Sequence, residues 1–212
     1  MSDVKIPPGR VTPWHQTNWD WRAAGNFIGG GSGTGLLFFS TLAAGSTDAY
    51  RIMALVALAF IGGGLTCVWL EIGKPLRAIN VFFHPQTSWM TREGMVAVPV
   101  FLCGLAAAWF GGGIFVGMAA LLGIVFLYCQ GRILQASKGI PAWREPKIVP
   151  LILSTGFVEG AGLAAVLSAV LPGEGPRWIA GVLLGALILR RIAWTMYFKA
   201  VEQSGLPKKA MD

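Results

Sequence analysis

The stretch from Trp69 to Glu93 holds the largest group of side chains in this 212-residue chain that could do chemistry. It contains two glutamates, one lysine, two arginines and a histidine: Glu71, Lys74, Arg77, His84, Arg92 and Glu93. If a helix continues for one turn past Glu71, Lys74 lies on the same face. That spacing pairs a proton carrier with a donor that can stabilise an anionic oxygen. The alternative interpretation is a surface salt bridge, which contributes little stability.

The composition indicates a membrane protein. The chain is 54% hydrophobic and only 13% charged, and its mean hydropathy is +0.61, whereas a soluble domain carries about 25% charged residues. The net charge of +7 could suggest nucleic acid, but the cations sit in short segments beside apolar runs, which favours membrane topology and no nucleic-acid partner. Cys67, Cys103 and Cys129 lie in apolar runs without metal-ligand spacing, so we expect neither disulfides nor an iron–sulfur cluster in this chain.

Six apolar stretches predict an all-α, polytopic transmembrane helix bundle with six spans. They cover about 23–44, 50–70, 94–110, 114–134, 148–171 and 178–199, and the first is long enough to cross a hydrocarbon core of about 30 Å. We therefore expect an interfacial arm over 1–22, a membrane domain over 23–199 and a tail over 200–212. In the first span Gly25, Gly29 and Gly33 recur every fourth residue, which favours close helix packing over a ligand-contacting surface.

The distribution of lysine and arginine predicts the orientation. With six spans, fifteen of the 17 cations fall on the side that carries both termini and the loops 71–93 and 135–147, and two fall on the other. Basic residues concentrate on the cytoplasmic side of membrane proteins. We therefore expect both termini to be cytoplasmic.

Three charges fall inside predicted spans, where an unpaired charge is costly. Glu159 lies about 16 Å into the fifth span, and Arg190 and Arg191 lie about 13 Å into the sixth, at 1.5 Å per residue. The matching depths predict an ion pair between Glu159 and one of the arginines. A structural role and a role in a proton path or a quinone pocket both stay open.

The cytoplasmic ends of the spans combine donors, acceptors and aromatic faces. Both histidines, His15 and His84, lie outside the spans, so we expect no haem with two histidine ligands, and no metal site is evident. A quinone needs donors for two carbonyl oxygens, a flat apolar wall and a source of protons. Each polar residue alone could be an interfacial anchor, but together they predict a quinone site formed by Asn26, Glu71, Lys74, Arg77, Tyr128 and Arg132.

Two loop segments resemble the DmsC/NrfD family, the membrane anchors of molybdopterin oxidoreductases. The segment LEIGKPLRAINVFFHPQTSWMTREG is similar to the loop after the family's second helix, and Gly73, Pro75, Arg77, Ser88, Trp89, Arg92 and Glu93 match it. Glu71 stands where many members have histidine. The segment YCQGRILQASKGIPAWREP is similar to a second family loop, through Arg132, Pro141, Ala142 and Trp143.

The chain is shorter than most of the family, whose members commonly have eight or more helices. The segment NWDWRAAGNFIGGG also looks similar to short anchors of the phenylacetyl-CoA:acceptor oxidoreductase type.

The resemblance implies a subunit of a respiratory oxidoreductase complex rather than the substrate-converting enzyme itself. It implies an iron–sulfur subunit docked on the cytoplasmic face, a molybdenum or tungsten catalytic subunit beyond it, and menaquinone or ubiquinone in the anchor. The expected docking residues are Arg77, Trp89, Arg92, Trp143 and Arg144. The expected location is the cytoplasmic membrane of a bacterium or archaeon. A purely structural anchor and a small transporter stay open as alternatives, although a transporter would be expected to show an internal repeat, and none is clear here.

Overall fold

The computed structural model describes residues 19–71, 75–111, 113–137, 139–171 and 177–204, and the side chains of residues 71 and 75–78 fall outside this description. Lys74 and most of the predicted arm and tail therefore lie outside the described residues, as do the side chains of Glu71 and Arg77. The described chain forms six long helices: α1 (Trp21–Ala43), α2 (Thr47–Glu71), α3 (Trp89–Phe110), α4 (Gly113–Ala136), α5 (Ile148–Val170) and α6 (Ile179–Gln203). Two short 3₁₀-helices, Pro75–Phe82 and Pro141–Arg144, precede α3 and α5.

The predicted all-α bundle is confirmed, and each predicted span falls on one of the six long helices. The third helix begins earlier than its apolar run, because Ser88 caps it. The Ser88 side chain accepts a hydrogen bond of 3.2 Å from the backbone N–H of Thr91, which satisfies one of the free donors at the helix start. The polar turn from Trp89 to Glu93 is thereby helical.

Helix α1 lies in the centre of the bundle and contacts α2, α4 and α5. Gly29 and Gly33 face α2 so closely that a β-carbon would lie 2.6 Å from the carbonyl oxygen of Phe60 and 2.5 Å from that of Ala57, respectively. The predicted packing role of this glycine row is therefore confirmed. On another face, Gly35 meets Gly160 of α5 at backbone contact.

Five of the six helices, α2 to α6, are long and apolar enough to cross a membrane. The glycine-rich α1 is not among them. Its middle part, residues 29–37, is buried by neighbouring helices, so small residues that permit close packing replace large apolar ones. At 1.5 Å per residue, its length is about 35 Å, which matches a bilayer core of about 30 Å.

Successive helices run in opposite directions, so the two 3₁₀-helices lie at one end of the bundle, called here the loop end. Arg22 Nη1 donates to the backbone oxygen of Leu70 at 3.3 Å at this end, and the Tyr197 hydroxyl donates to that of Ala142 at 3.0 Å. Arg22 also forms an ion pair of 2.7 Å with Asp20, which caps α1. The hydrogen bonds from the Arg22 side chain and backbone hold the pKa of Asp20 below its ordinary value.

Candidate functional site

Three buried polar side chains from three helices meet inside the loop end. Asn26 of α1 donates a hydrogen bond of 3.3 Å from Nδ2 to Oε1 of Glu93 on α3. Gln130 of α4 donates from Nε2 to the backbone oxygen of Asn26 at 3.1 Å. The exposed fractions of Asn26, Glu93 and Gln130 are 3%, 4% and 0%. Burying three polar side chains costs free energy unless they form hydrogen bonds with each other or with a ligand.

The local sequence makes room for this polar group. Gly30 lies one helical turn after Asn26, and a β-carbon at Gly30 would overlap the amide of Gln130. Two acceptors of the group, Asn26 Oδ1 and Gln130 Oε1, are buried without a hydrogen-bond partner. Such atoms in a folded protein call for an explanation. A ligand or a water that donates hydrogen bonds would satisfy them.

Glu93 lines two adjoining cavities at the loop end. The smaller has a volume of about 240 Å³ and includes Asn26 and Trp19 in its lining. The larger, of about 540 Å³, is an almost wholly apolar groove between α2, the Pro75–Phe82 helix and α3. Its walls include aromatic and aliphatic side chains from all three elements: Leu65, Trp69, Ile79, Phe82, Ala97 and Phe101. Among the described side chains, the carboxyl group of Glu93 thus stands where a buried polar group meets an apolar groove, the combination that small-molecule sites show.

A second polar cluster lies on the α3–α4 side of the loop end. The guanidinium carbon of Arg92 lies 4.1 Å from the centroid of the Trp89 ring, and that of Arg132 lies 4.5 Å from it. Tyr128 stands edge-on to Trp89 at 5.8 Å. Arg132 Nη1 donates to the Tyr128 hydroxyl at 3.2 Å. We call these four residues the Arg–Trp cluster.

The structure separates the predicted quinone residues. Asn26 lies in the buried polar group and in the smaller cavity. Tyr128 and Arg132 instead belong to the Arg–Trp cluster and are not part of the lining of either cavity. Glu71, Lys74 and Arg77 lie outside the described side chains.

The residues predicted to dock a partner also divide. Trp89 and Arg92 lie in the Arg–Trp cluster. Trp143 packs edge-to-face with Trp19, with ring centroids 4.7 Å apart and planes at 86°, and Trp19 in turn lines the smaller cavity. Arg144 is exposed in the neighbouring 3₁₀-helix.

The predicted ion pair of Glu159 is not formed within the residues that the structure describes. Glu159 accepts a hydrogen bond of 2.8 Å from Ser32 of α1. Arg190 donates from Nε to Thr155 at 3.1 Å, one turn before Glu159 on α5, and Arg191 is exposed. The reason is that Glu159 points toward α1, whose small residues bring Ser32 within reach, rather than toward α6.

The sequence places Glu93 in the polar cluster at the ends of the spans but does not single it out as a quinone residue, and it assigns no role to Gln130. Glu93 matches the family motif only as part of a loop. Gln130 gives one signal, an amide inside an otherwise apolar run two residues before Arg132. A polar residue with that placement on a buried helix face indicates a partner across the interface.

The fold and the buried site define a polytopic membrane protein with a ligand-sized groove at one end. Residues 22–189 match the family of the DMSO reductase anchor subunit (DmsC), and the chain belongs to this family. It is also similar to the C subunit of sulfite dehydrogenase from Allochromatium vinosum, with 30% identity over 141 residues that cover 57% of this chain and 43% of that protein. The chain thus matches less than half the length of this relative. No solved structure matches the chain.

Proposed function

We propose that this membrane anchor docks the iron–sulfur subunit of an oxidoreductase complex and exchanges electrons between that subunit and a membrane quinone. The family and the similarity to one subunit of a sulfite dehydrogenase support the role of an anchor. The quinone role depends mainly on one observation, the position of Glu93 between the buried polar group and the apolar groove. The catalytic partner that we propose is a molybdenum or tungsten subunit, as the family implies.

The groove and the polar group suit the two halves of a quinone. The groove offers aromatic and aliphatic walls to a ring and an isoprenoid tail, and its volume of about 540 Å³ lies within the usual range of ligand pockets, about 300–1,000 Å³. The unpartnered Oδ1 of Asn26, which lines the smaller cavity, can accept a hydrogen bond from a hydroxyl group of the reduced ligand or from a bridging water. The residues present therefore fit the reduced, quinol form of the ligand.

The chemistry of the ligand is a reversible two-electron, two-proton reduction. Glu93 can donate or accept one of those protons, because a carboxyl group is an effective general acid or base when it is held beside the reacting oxygen. Asn26 fixes the orientation of this carboxyl through its Nδ2 hydrogen bond. Bulk water is kept away by the near-complete burial of Glu93 and Asn26.

The loop end also offers a surface for a partner. Ile79 and Phe83 are each 65% exposed there, and Phe82 is 42% exposed. Exposed apolar side chains beside a polar rim are typical of protein interfaces. An iron–sulfur subunit bound there would lie directly over the groove, which favours short electron transfer.

Glu93→Gln tests the quinone site in the purified complex. The change keeps size and hydrogen bonding but removes the titratable proton. We expect a complex that still reduces an artificial soluble dye but reacts with quinone about 100-fold more slowly, the low end for loss of a general acid or base. Glu202→Gln, an exposed carboxylate on α6, is the matched control. Normal quinone kinetics in an assembled Glu93→Gln complex would place the quinone elsewhere or leave a purely structural anchor.

Phe83→Ser tests the docking surface. Removal of this exposed aromatic ring should release the iron–sulfur subunit into the soluble fraction, because large aromatic side chains dominate interface affinity. His84→Ser alters the next exposed residue and should leave the complex on the membrane. Retention of the iron–sulfur subunit by both variants would rule out this surface.

We also infer that the loop end is cytoplasmic, since the topology predicted from the sequence assigns fifteen of the 17 cations to that side. Cysteines introduced at the exposed positions Gln86, at the loop end, and Thr47, at the opposite end, test this. In intact cells a membrane-impermeant thiol reagent should label Thr47→Cys and not Gln86→Cys. The opposite pattern would invert the orientation, and the parent protein gives the background from the three native cysteines.

A further inference from the structure

The Arg–Trp cluster concentrates positive charge at one point of the loop end. Two guanidiniums lie within cation–π distance of the same indole ring, Trp89. Neither Arg92 nor Arg132 forms an ion pair with a carboxylate in the part of the chain that the structure describes. Like charges held this close repel each other, and the attraction to the ring offsets only about 1 kcal/mol each. An anion beside the cluster would remove this repulsion.

The two arginines differ in how many of their donors are used. Arg92 donates from Nε to the backbone oxygen of Pro85 at 2.8 Å and from Nη2 to that of Gln86 at 3.0 Å, which fastens the loop to α3. Arg132 makes one side-chain hydrogen bond, to Tyr128. Its Nε is buried and has no partner. Since a guanidinium has five donor hydrogens, Arg132 retains donors for a ligand.

The surroundings of the cluster match a phospholipid molecule. Trp89 and Tyr128 are the aromatic types that lie at the level of the headgroups. Leu121, Val125, Tyr128 and Arg132 share one face of α4 by helical periodicity. Leu121 and Val125 are 64% and 40% exposed, so an apolar strip leads from the cluster toward the interior of the membrane.

We propose that the Arg–Trp cluster binds the phosphate of an anionic phospholipid, with an acyl chain along the Leu121–Val125 strip. A phosphate can accept two parallel hydrogen bonds from the planar fork of one guanidinium, and the terminal donors of Arg132 that Tyr128 does not use can supply them. A zwitterionic lipid has its own ammonium group to neutralise the phosphate, so the cluster selects a lipid with net negative charge. The proposal is independent of the quinone site, because the cluster lies outside the lining of both cavities.

Native mass spectrometry and thermal unfolding of the purified complex test the proposal with phosphatidylglycerol and phosphatidylcholine. The wild-type complex should retain bound phosphatidylglycerol and unfold at a higher temperature when that lipid is added, with a smaller shift for phosphatidylcholine. Arg132→Gln should weaken phosphatidylglycerol binding by about tenfold, the factor that corresponds to the loss of one charge-assisted interaction. Lys199→Gln, which removes an exposed cation from α6, should bind as the wild type does.

The variant Arg132→Lys and a titration with inorganic phosphate separate a lipid site from a loss of folding and from simple anion binding. Arg132→Lys keeps the charge but loses the fork, so it should assemble and bind the lipid with intermediate affinity if Arg132→Gln fails to assemble. Inorganic phosphate should not reproduce the thermal shift, since it cannot use the apolar strip. Equal retention of phosphatidylglycerol by Arg132→Gln and wild type, or an equal shift with inorganic phosphate, would overturn the assignment of a lipid site.

Discussion

Asn26 and Glu93 join α1 to α3 through a hydrogen bond of 3.3 Å between Nδ2 and Oε1, with both side chains almost completely buried. The two residues are 67 positions apart in the chain. Their pairing holds the buried carboxyl in one orientation and also links the central helix to the first turns of α3. The same contact therefore serves the proposed ligand site and the cohesion of the loop end.

Removal of the Asn26 side chain should destabilise the protein. Asn26→Ala deprives Glu93 of its hydrogen-bond donor while both positions stay buried, and an unsatisfied buried polar group costs about 1–3 kcal/mol. The midpoint of thermal unfolding in detergent should fall accordingly. Asn80→Ala, at an exposed position of the first 3₁₀-helix, should unfold like the wild type. Equal midpoints for the two variants would show that the contact carries no stability.

Two glycines of α5 should respond in opposite ways to the same substitution. A β-carbon at Gly160 would overlap the backbone of Gly35 and Leu36, whereas one at Gly162 would meet nothing within 4 Å. Gly160→Ala should therefore separate α1 from α5 and reduce the yield of folded protein. Gly162→Ala should be neutral or stabilising by up to about 1 kcal/mol, the difference in helix propensity. Detergent-extracted yield and melting temperature measure both, and a folded Gly160→Ala protein of normal stability would contradict this packing.

Glu159→Gln should leave assembly close to normal. The amide oxygen of glutamine can accept the hydrogen bond that Ser32 donates, and Arg190 keeps its bond to Thr155. Glu159→Leu removes that acceptor and should lower the amount of complex in the membrane. If Glu159→Gln alone were as damaging as Glu159→Leu, the charge of this residue would be required, and the ion pair expected from the sequence would be the better account.

The sequence alone predicts the positions of the helices, because apolar runs and the proline-containing loops between them are local signals. It is also sufficient for the close packing of Gly29 and Gly33, since a spacing of four residues defines one helical face, but it does not say that the partner is α2. It cannot assign Gln130 to Asn26, because that contact depends on how α4 is rotated about its axis. The rotation of α5 likewise decides the partner of Glu159. The matching depths of Glu159 and Arg190 in their helices suggest an ion pair, but the Glu159 side chain points toward α1 and bonds to Ser32.

Gly94 offers a way to narrow the groove without touching the polar group. It lies next to Glu93 and lines the groove, and a β-carbon there would stand 3.4 Å from Val81 and 3.6 Å from Phe82. Gly94→Val should therefore occupy space that we assign to the quinone ring or tail, while the carboxyl group and its Asn26 partner stay in place. We expect the KM for quinone to rise by about tenfold, the equivalent of about 1.4 kcal/mol of lost binding, with dye reduction unchanged. Gly117→Val, on α4 where a β-carbon meets nothing within 4 Å, controls for the added volume. An unchanged KM in Gly94→Val, with assembly verified, would show that the quinone does not use this groove even if Glu93 proves essential.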